Sequence, residues 1–142
     1  MKRTASAVWS GDLKSGKGAI STQSKTLKSV PYSFSMRFED GQGTNPEELI
    51  GAAHAGCFTM ALSAFLSKAG FTATQLETSA EVSLEEVEGN WTVTKIDLHL
   101  KAQIAKITKK QFSEIANDAK TKCPISRLFK AEISLTAELI GE

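Results

Sequence analysis

Apolar and polar side chains alternate along the first part of the chain, as they do in half-buried β-strands. Glycines at positions 11, 16 and 18 mark an early turn. Later, Arg37 falls in a stretch with apolar residues at every second position: Tyr32, Phe34, Met36 and Phe38. A period of two residues is typical of a strand with one face in a core. We therefore predict that residues 4–38 form strands and that Arg37 lies on one of them.

The next stretch is long, uncharged and not alternating. Asn45 is a favourable N-cap, Pro46 suits the first helical position, and Gly70 is a natural end for a helix. Residues 49–67 carry no charge, so the predicted helix is apolar on most of its circumference, and we expect it to be buried. Its residues are weakly apolar and no tryptophan or tyrosine flanks it, which favours a core helix over a membrane span.

Alternation returns in the second half of the chain. Residues 74–88 and 91–105 are predicted to form two strands joined by a turn at residues 88–90. Thr108 suits the N-cap of a second helix. A last strand has apolar side chains at alternate positions: Ile133, Leu135, Ala137 and Leu139. The order strands, helix, strands, helix, strand predicts an α+β fold with a largely antiparallel sheet.

Composition and charge narrow the class of protein. The 142 residues suit one domain, predicted to span residues 1–142, and 41% hydrophobic with 23% charged residues is the balance of a globular protein. The net charge is +1 without a long basic stripe, so we expect no nucleic-acid partner. The basic residues that open the chain are not followed by an apolar run, so we expect a cytoplasmic protein without a secretory signal.

The chain has two cysteines, Cys57 in the predicted long helix and Cys123. In a reducing cytosol a transient catalytic disulfide is allowed, whereas a permanent structural one is not expected. Taken alone, each cysteine is also compatible with an inert buried thiol. No pair of cysteines or histidines has the short spacing of structural zinc ligands, so we expect no metal. His54 shares a helix face with Cys57 and is either its base or, as we expect, a hydrogen-bonded core residue.

The residues around both cysteines resemble the OsmC/Ohr family of hydroperoxide reductases. Residues 45–58, Asn-Pro-Glu-Glu-Leu-Ile-Gly-Ala-Ala-His-Ala-Gly-Cys-Phe, resemble the active-site helix of that family. Residues 123–126, Cys-Pro-Ile-Ser, resemble the segment with its second cysteine, and the spacing of 66 residues fits. The Trp9 and glycine-rich opening looks closer to the OsmC branch than to the Ohr branch. The resemblance covers essentially the whole chain and implies an intertwined homodimer, with a sheet wrapped around a long central helix.

The resemblance also implies a chemistry and a set of site residues. It makes Cys57 the attacking thiolate, Cys123 the resolving thiol that forms a disulfide with it, Arg37 the active-site arginine and Glu47 the glutamate that orients this arginine. The implied substrates are organic hydroperoxides and, less well, hydrogen peroxide. No metal or organic cofactor is implied. An external dithiol, such as a lipoyl-bearing protein, would reduce the disulfide.

Residue chemistry gives partial support to these roles. A catalytic cysteine must ionise, and an unperturbed thiol with a pKa of about 8.5 is only a few per cent thiolate at neutral pH. Because Cys57 lies in mid-helix, the helix dipole helps little, and a side-chain cation such as Arg37 is needed. The alternatives are that Arg37 is an exposed strand residue and that Glu47, or equally Glu48, only favours the helix N-terminus.

Two features concern a second copy of the chain: the first predicts a homodimer, and the second predicts an active site that is shared between the two subunits. Small residues at four-residue spacing would permit close helix–helix approach across a two-fold axis: Gly51, Ala55, Thr59 and Ser63. If Glu47, Arg37 and Cys57 belong to one site, as the resemblance implies, one chain cannot easily supply all three, because Glu47 and Cys57 are separated by about 15 Å of helical rise. Several large side chains are candidates for an apolar substrate pocket or for plain core packing: Phe34, Phe38, Phe58, Met60 and Phe129.

The rival hypothesis is a non-enzymatic, stress-induced protein that binds a small ligand and has incidental cysteines.

Overall fold

The computed structural model describes residues 1–141. Its contacts divide the chain into two compact units, Met1–Leu49 and a second that begins at Ile50. The prediction of a single domain stays a prediction.

The first unit contains a small antiparallel sheet followed by a short helix. The strands are β1 (Ala5–Ser10), β2 (Lys17–Thr22) and β3 (Val30–Tyr32), in the order β1-β2-β3. Gly18 pairs with both Trp9 and Tyr32, and a Cβ at this position would collide with their rings. The two rings lie 5.4 Å apart between centroids over this glycine, so the missing side chain lets two aromatic residues meet.

The strand prediction was wrong for residues 34–38, which form helix α1 (Phe34–Phe38). Ser33 is its N-cap, and the Ser33 side chain accepts a hydrogen bond from the Met36 N–H. In a helix, residues four apart share a face, and the Phe34 and Phe38 rings lie 5.0 Å apart. Local capping and this ring contact outweigh the period-two pattern. Arg37 therefore lies in the last turn of a helix and not on a strand.

Helix α2 (Pro46–Lys68) has the predicted ends. The Asn45 side chain accepts a hydrogen bond from the Glu48 N–H at 2.8 Å, and Gly70 adopts the positive φ of +85° that suits a helix terminus.

Only one stripe of α2 is buried within the single chain. This stripe has the three- and four-residue spacing of a helix face: His54, Phe58, Leu62 and Leu66. The opposite side is open, and Met60 is 77% exposed there. The prediction that most of the helix circumference is buried is therefore not met within one chain. By length and hydropathy alone α2 would suffice to cross a membrane, but its buried stripe packs into the hydrophobic core of the second unit.

Part of the predicted small-residue row faces away from the open side of α2. Gly51 packs against Val82, whose side chain would lie 3.3 Å from a Cβ at this glycine. The Thr59 and Thr78 hydroxyls form a hydrogen bond at 2.7 Å. Gly51 and Thr59 thus face a strand of the same chain, whereas Ser63 is exposed.

The second unit is built on a mixed three-stranded sheet. Strands β4 (Ala73–Val87) and β5 (Asn90–Ile104) form the predicted hairpin, and β6 (Glu132–Ile140) pairs with β5 in parallel. Both turn residues, Glu88 and Gly89, have positive φ, as tight hairpin turns require. The inward side of β5 forms the centre of the core: Ile96, Leu98, Leu100, Ala102 and Ile104.

Helix α3 (Lys109–Lys122) connects β5 to β6, and a crossover of this kind is what a parallel pair needs. Thr108 caps it as predicted: its hydroxyl accepts from the Gln111 N–H, and the Gln111 side chain accepts from the Thr108 N–H. A five-residue helix, α4 (Pro124–Leu128), follows directly. The α+β class and the largely antiparallel pairing are confirmed, with β5 and β6 as the parallel exception.

Candidate active site

The two thiols meet inside the second unit. Cys57 lies on α2, and Cys123 is the residue at which α3 ends and α4 begins. Their Sγ atoms are 3.0 Å apart, and both cysteines are free. A disulfide bond is about 2.05 Å long, so the sulfurs need to approach by only about 1 Å to be joined. This geometry suits a reversible disulfide.

The two thiols differ in access. Cys57 is half-buried, whereas Cys123 is fully buried. Cys123 is held between two helices because Pro124 follows it, and the residue before a proline is disfavoured in helical geometry. A small reactant in solvent would therefore reach Cys57 before Cys123.

The surroundings of Cys57 set its ionisation. Burial raises the pKa of the Cys57 thiol, and the hydrogen-bonding contact with Cys123 raises it further. A hydrogen bond from the backbone N–H of Ile125 acts in the opposite direction and lowers this pKa. Since only the thiolate is nucleophilic, this thiol needs a nearby cation to be reactive at neutral pH.

Arg37 and Glu47 form a second group, within the first unit. Arg37 Nη2 lies 2.7 Å from Glu47 Oε1, and Arg37 Nε lies 3.1 and 3.2 Å from the two carboxylate oxygens. The Glu47 side chain is only 12% exposed and that of Arg37 is 36% exposed. A planar guanidinium held by several bonds to one carboxylate has a fixed orientation.

The structure distinguishes between the two acidic candidates at the start of α2. Glu48 accepts a hydrogen bond from the Thr44 hydroxyl at 2.9 Å, whereas Glu47 accepts from the guanidinium of Arg37. Glu47 is thus the hydrogen-bond partner of Arg37, and the catalytic roles that the resemblance implies for the two residues stay a prediction.

His54 is a hydrogen-bonded core residue, as expected. It is fully buried, and its Nε2 lies 2.7 Å from the Ser126 hydroxyl. Its ring meets the edge of the Phe129 ring, with centroids 5.6 Å apart. Burial lowers the pKa of His54, so the ring is neutral near neutral pH. The contact between His54 and Ser126 was not predicted, although Ser126 follows Cys123 at the same three-residue spacing that separates His54 from Cys57.

An apolar recess of about 280 Å³ lies beside Arg37 in the first unit. It is lined mainly by aromatic residues: Trp9, Tyr32, Phe34 and Phe38, with Leu13, Ser33 and Arg37. Of the other proposed pocket residues, Phe58 is fully buried in the core and Phe129 packs against His54. Among residues 1–141, histidine, cysteine and carboxylate side chains form no group of three or more that could hold a metal ion.

Comparison with known proteins identifies the family. The family model for OsmC-like protein matches residues 39–138. The chain is also 50% identical over 133 residues to peroxiredoxin OsmC of Escherichia coli strain K12, an overlap of 94% of this chain and 93% of that protein.

The chain belongs to the OsmC-like protein family.

Other OsmC-like relatives extend this result. Organic hydroperoxide resistance protein OhrB of Bacillus subtilis strain 168 is 31% identical over 104 residues, which cover 71% of this chain and 74% of OhrB. The crystal structure of that OhrB superposes with a TM-score of 0.68 at 25% identity, over 96% of this chain and 98% of the other. An OsmC-like protein of unknown function from Vibrio cholerae superposes with a TM-score of 0.78 at 16% identity, over 96% of this chain and 99% of the other. The predicted family and OsmC-like fold are confirmed.

Proposed function

We propose that this OsmC-like protein is a thiol-dependent peroxidase that reduces organic hydroperoxides, with Cys57 as attacking thiolate and Cys123 as resolving thiol. The observation that carries the proposal is the contact of two free thiols at 3.0 Å, one half-buried and one fully buried. The relatives named as a peroxiredoxin and as organic hydroperoxide resistance proteins support it.

The proposed reaction has three steps. The Cys57 thiolate attacks the terminal oxygen of the hydroperoxide; the O–O bond breaks, and an alkoxide leaves and takes up a proton to become the alcohol. Cys57 is now a sulfenic acid, and the Cys123 thiol displaces its hydroxyl as water to form the disulfide. An external dithiol then reduces this disulfide by thiol–disulfide exchange, and a lipoyl-bearing protein is one candidate reductant.

Arg37 supplies the positive charge in this proposal. A guanidinium beside Cys57 would stabilise the thiolate and then the departing alkoxide, where charge develops in the transition state. Glu47 orients it through the bonds described above and partly neutralises it.

We propose further that the Arg37–Glu47 pair acts on Cys57 of a partner subunit. Glu47 and Cys57 are ten residues apart in α2, about 15 Å of helical rise. The open side of α2, which exposes Met60, is the face that a second copy would cover in a two-fold homodimer. Ala53 and Ala64 are exposed on the same side of α2 as Met60, and contiguous exposed apolar surface marks protein–protein contacts.

The aromatic recess supports an organic substrate. Its walls bring four aromatic side chains and one cation together, which suits a hydroperoxide with an apolar tail and a polar reacting end. Hydrogen peroxide has no tail to bind there and should therefore be the poorer substrate.

A thiol titration with one equivalent of cumene hydroperoxide tests the proposal. Rapid loss of both thiols of each chain is the expected result. Thiols that remain unchanged would instead support a non-enzymatic ligand-binding protein with incidental cysteines. A reducing compartment such as the cytoplasm suits a disulfide that must be reopened in every cycle.

A further inference from the structure

Two adjacent side-chain contacts join α2 to the segment that contains Cys123 and α4. Cys57 Sγ lies 3.0 Å from Cys123 Sγ, and His54 Nε2 lies 2.7 Å from Ser126 Oγ. His54 precedes Cys57 by three residues, and Ser126 follows Cys123 by three. Residues three apart on a helix lie about one turn apart on the same face. The His54–Ser126 hydrogen bond and the contact between the two thiols therefore join the same pair of segments.

Helix α4 needs such an anchor. It has only five residues, and a helix this short is not stable by itself. The Cys123 N-cap provides no side-chain hydrogen bond for it. Ile125 and Phe129 pack against the hydrophobic core, but apolar contacts are not directional and tolerate sliding. The His54–Ser126 bond is directional and fixes the position of α4 along α2.

The burial of His54 makes this bond costly to break. The side chain is fully buried, and its Nδ1 has no hydrogen-bond partner among residues 1–141. If α4 shifted away, the whole imidazole would be left buried without a polar partner. Unsatisfied buried polar groups carry a free-energy penalty, and this penalty opposes the shift.

We propose that His54 is a positioning residue for the resolving thiol: through Ser126 it holds α4 so that Cys123 Sγ stays within reach of Cys57 Sγ. The inference deepens the proposed function and rests on the assignment of Cys57 and Cys123 to its two steps. In the resolving step the Cys123 sulfur bonds to the Cys57 sulfur, the S–O bond of the sulfenic acid breaks, and the hydroxyl leaves as water with the thiol proton.

The test compares variants that remove the bond with variants that do not. Ser126→Ala and His54→Leu each remove it. His54→Gln keeps an amide near the position of Nε2. Ser134→Ala is the matched control, because the Ser134 hydroxyl donates a hydrogen bond to Asp97 in the sheet and takes no part in the His54–Ser126 or Cys57–Cys123 contact.

In the first arm, each reduced variant receives one equivalent of cumene hydroperoxide together with dimedone. Mass spectrometry gives the ratio of dimedone-labelled Cys57 to the Cys57–Cys123 disulfide. This ratio is set after the sulfenic acid has formed, so it does not depend on how fast Cys57 attacks. We expect it to rise about tenfold in Ser126→Ala and His54→Leu, the effect of losing one buried hydrogen bond. It should stay within about twofold of wild type in His54→Gln and Ser134→Ala.

The second arm needs no peroxidase activity. Each variant is equilibrated in a glutathione redox buffer, and the ratio of the Cys57–glutathione mixed disulfide to the Cys57–Cys123 disulfide is measured. The same pattern is expected, because Cys123 then competes less well with an external thiol. If wild type forms no sulfenic acid but the glutathione arm shows this pattern, the proposed function fails while the positioning role holds.

Unchanged ratios in both bond-removing variants would overturn the positioning role. An equal rise in Ser134→Ala would do the same, since it would show that general loosening of the fold is sufficient. If Ser126→Ala loses its far-ultraviolet circular dichroism, the comparison of His54→Leu with His54→Gln decides by the same criteria.

Discussion

Arg37 and Glu47 face each other through a guanidinium and a carboxylate, with the shortest N···O distance at 2.7 Å. The carboxylate is nearly buried and the guanidinium is partly exposed. The pair therefore presents an oriented cation at the surface of the first unit. This arrangement makes the role of the glutamate testable by itself.

Glu47→Gln should lower kcat/KM for cumene hydroperoxide by about tenfold, because charge-assisted hydrogen bonds that orient Arg37 become weaker neutral ones. Glu48→Gln is the matched control: it makes the same chemical change one residue along and affects only the contact with Thr44. Steady-state peroxide consumption with a dithiol reductant measures both. Equal losses in the two variants would contradict a specific role for Glu47.

The two cysteines should behave differently when each is replaced. Cys57→Ser should abolish peroxide consumption, because the half-buried nucleophile is lost. Cys123→Ser should react once and keep a sulfenic acid at Cys57 that dimedone labels. Peptide mass spectrometry after one equivalent of peroxide reports both outcomes. Labelling of Cys123 in the Cys57→Ser protein, with none at Cys57 in the reverse case, would invert the assigned roles.

A dimer should be visible in solution. Light scattering at micromolar concentration should give twice the 15.3 kDa mass of one chain. Met60→Asp should shift the mass toward the monomer, because it places a charge on the open side of α2. Gly70 is also exposed but lies beyond the end of the helix, so Gly70→Asn serves as a surface control that tolerates the positive φ. A wild-type mass near 15 kDa would refute the dimer.

Sharing of the site between subunits predicts complementation. Glu47→Ala and Cys57→Ser proteins should each be impaired as homodimers. A mixed dimer has one site with both defects and one site with none, so it should recover about half of the wild-type activity. Mild unfolding, mixing and refolding produce the mixed dimers, and native mass spectrometry counts them. Confirmed mixed dimers that are no more active than the Glu47→Ala homodimer would show that Glu47 serves Cys57 of its own chain.

Stability should fall on acidification because of His54. Burial lowers its pKa in the folded protein below the ordinary value of 6.5. The unfolded chain therefore binds a proton at a higher pH than the folded protein does. The free energy of unfolding should be insensitive to this group above pH 6.5 and should decrease as the pH is lowered below it, by at most about 1.4 kcal/mol per pH unit.

The comparison of wild type with His54→Gln isolates this contribution. Both known contacts of the ring, the Ser126 hydroxyl and the edge of Phe129, are uncharged, so glutamine keeps the polar contact without the titration. Urea unfolding is measured at a fixed protein concentration from pH 7.5 to 5. The free energy of unfolding should decrease less in the variant than in wild type as the pH is lowered. If the free energy of unfolding falls equally with pH in the two proteins, His54 is not the source of the pH dependence.

Local signals determined much of the fold. The ends of α2, the turn at Glu88 and Gly89, and the capping of α3 by Thr108 depend on residues close to each other in sequence, so each could be predicted. The residues around Cys57 and Cys123 carried the family resemblance for the same reason. Residues 34–38 were predicted wrongly because apolar residues at 34 and 38 suit both a two-residue period and a helix face. The Ser33 cap and the contact of the two rings decide for the helix.

Local sequence patterns were enough to identify the residues with the required chemistry: a pair of thiols, an arginine and an acidic residue at a helix start. Which of these residues meet depends on how the chain packs. Glu47 and Glu48 are adjacent in sequence but point about 100° apart around α2, so the rotation of the helix selects the partner of Arg37. The parallel direction of β6 follows from the α3 crossover. Ser126 gained its role only when folding brought it to His54 across 72 residues, because side-chain contacts over such distances are set by packing and leave no local pattern in the chain.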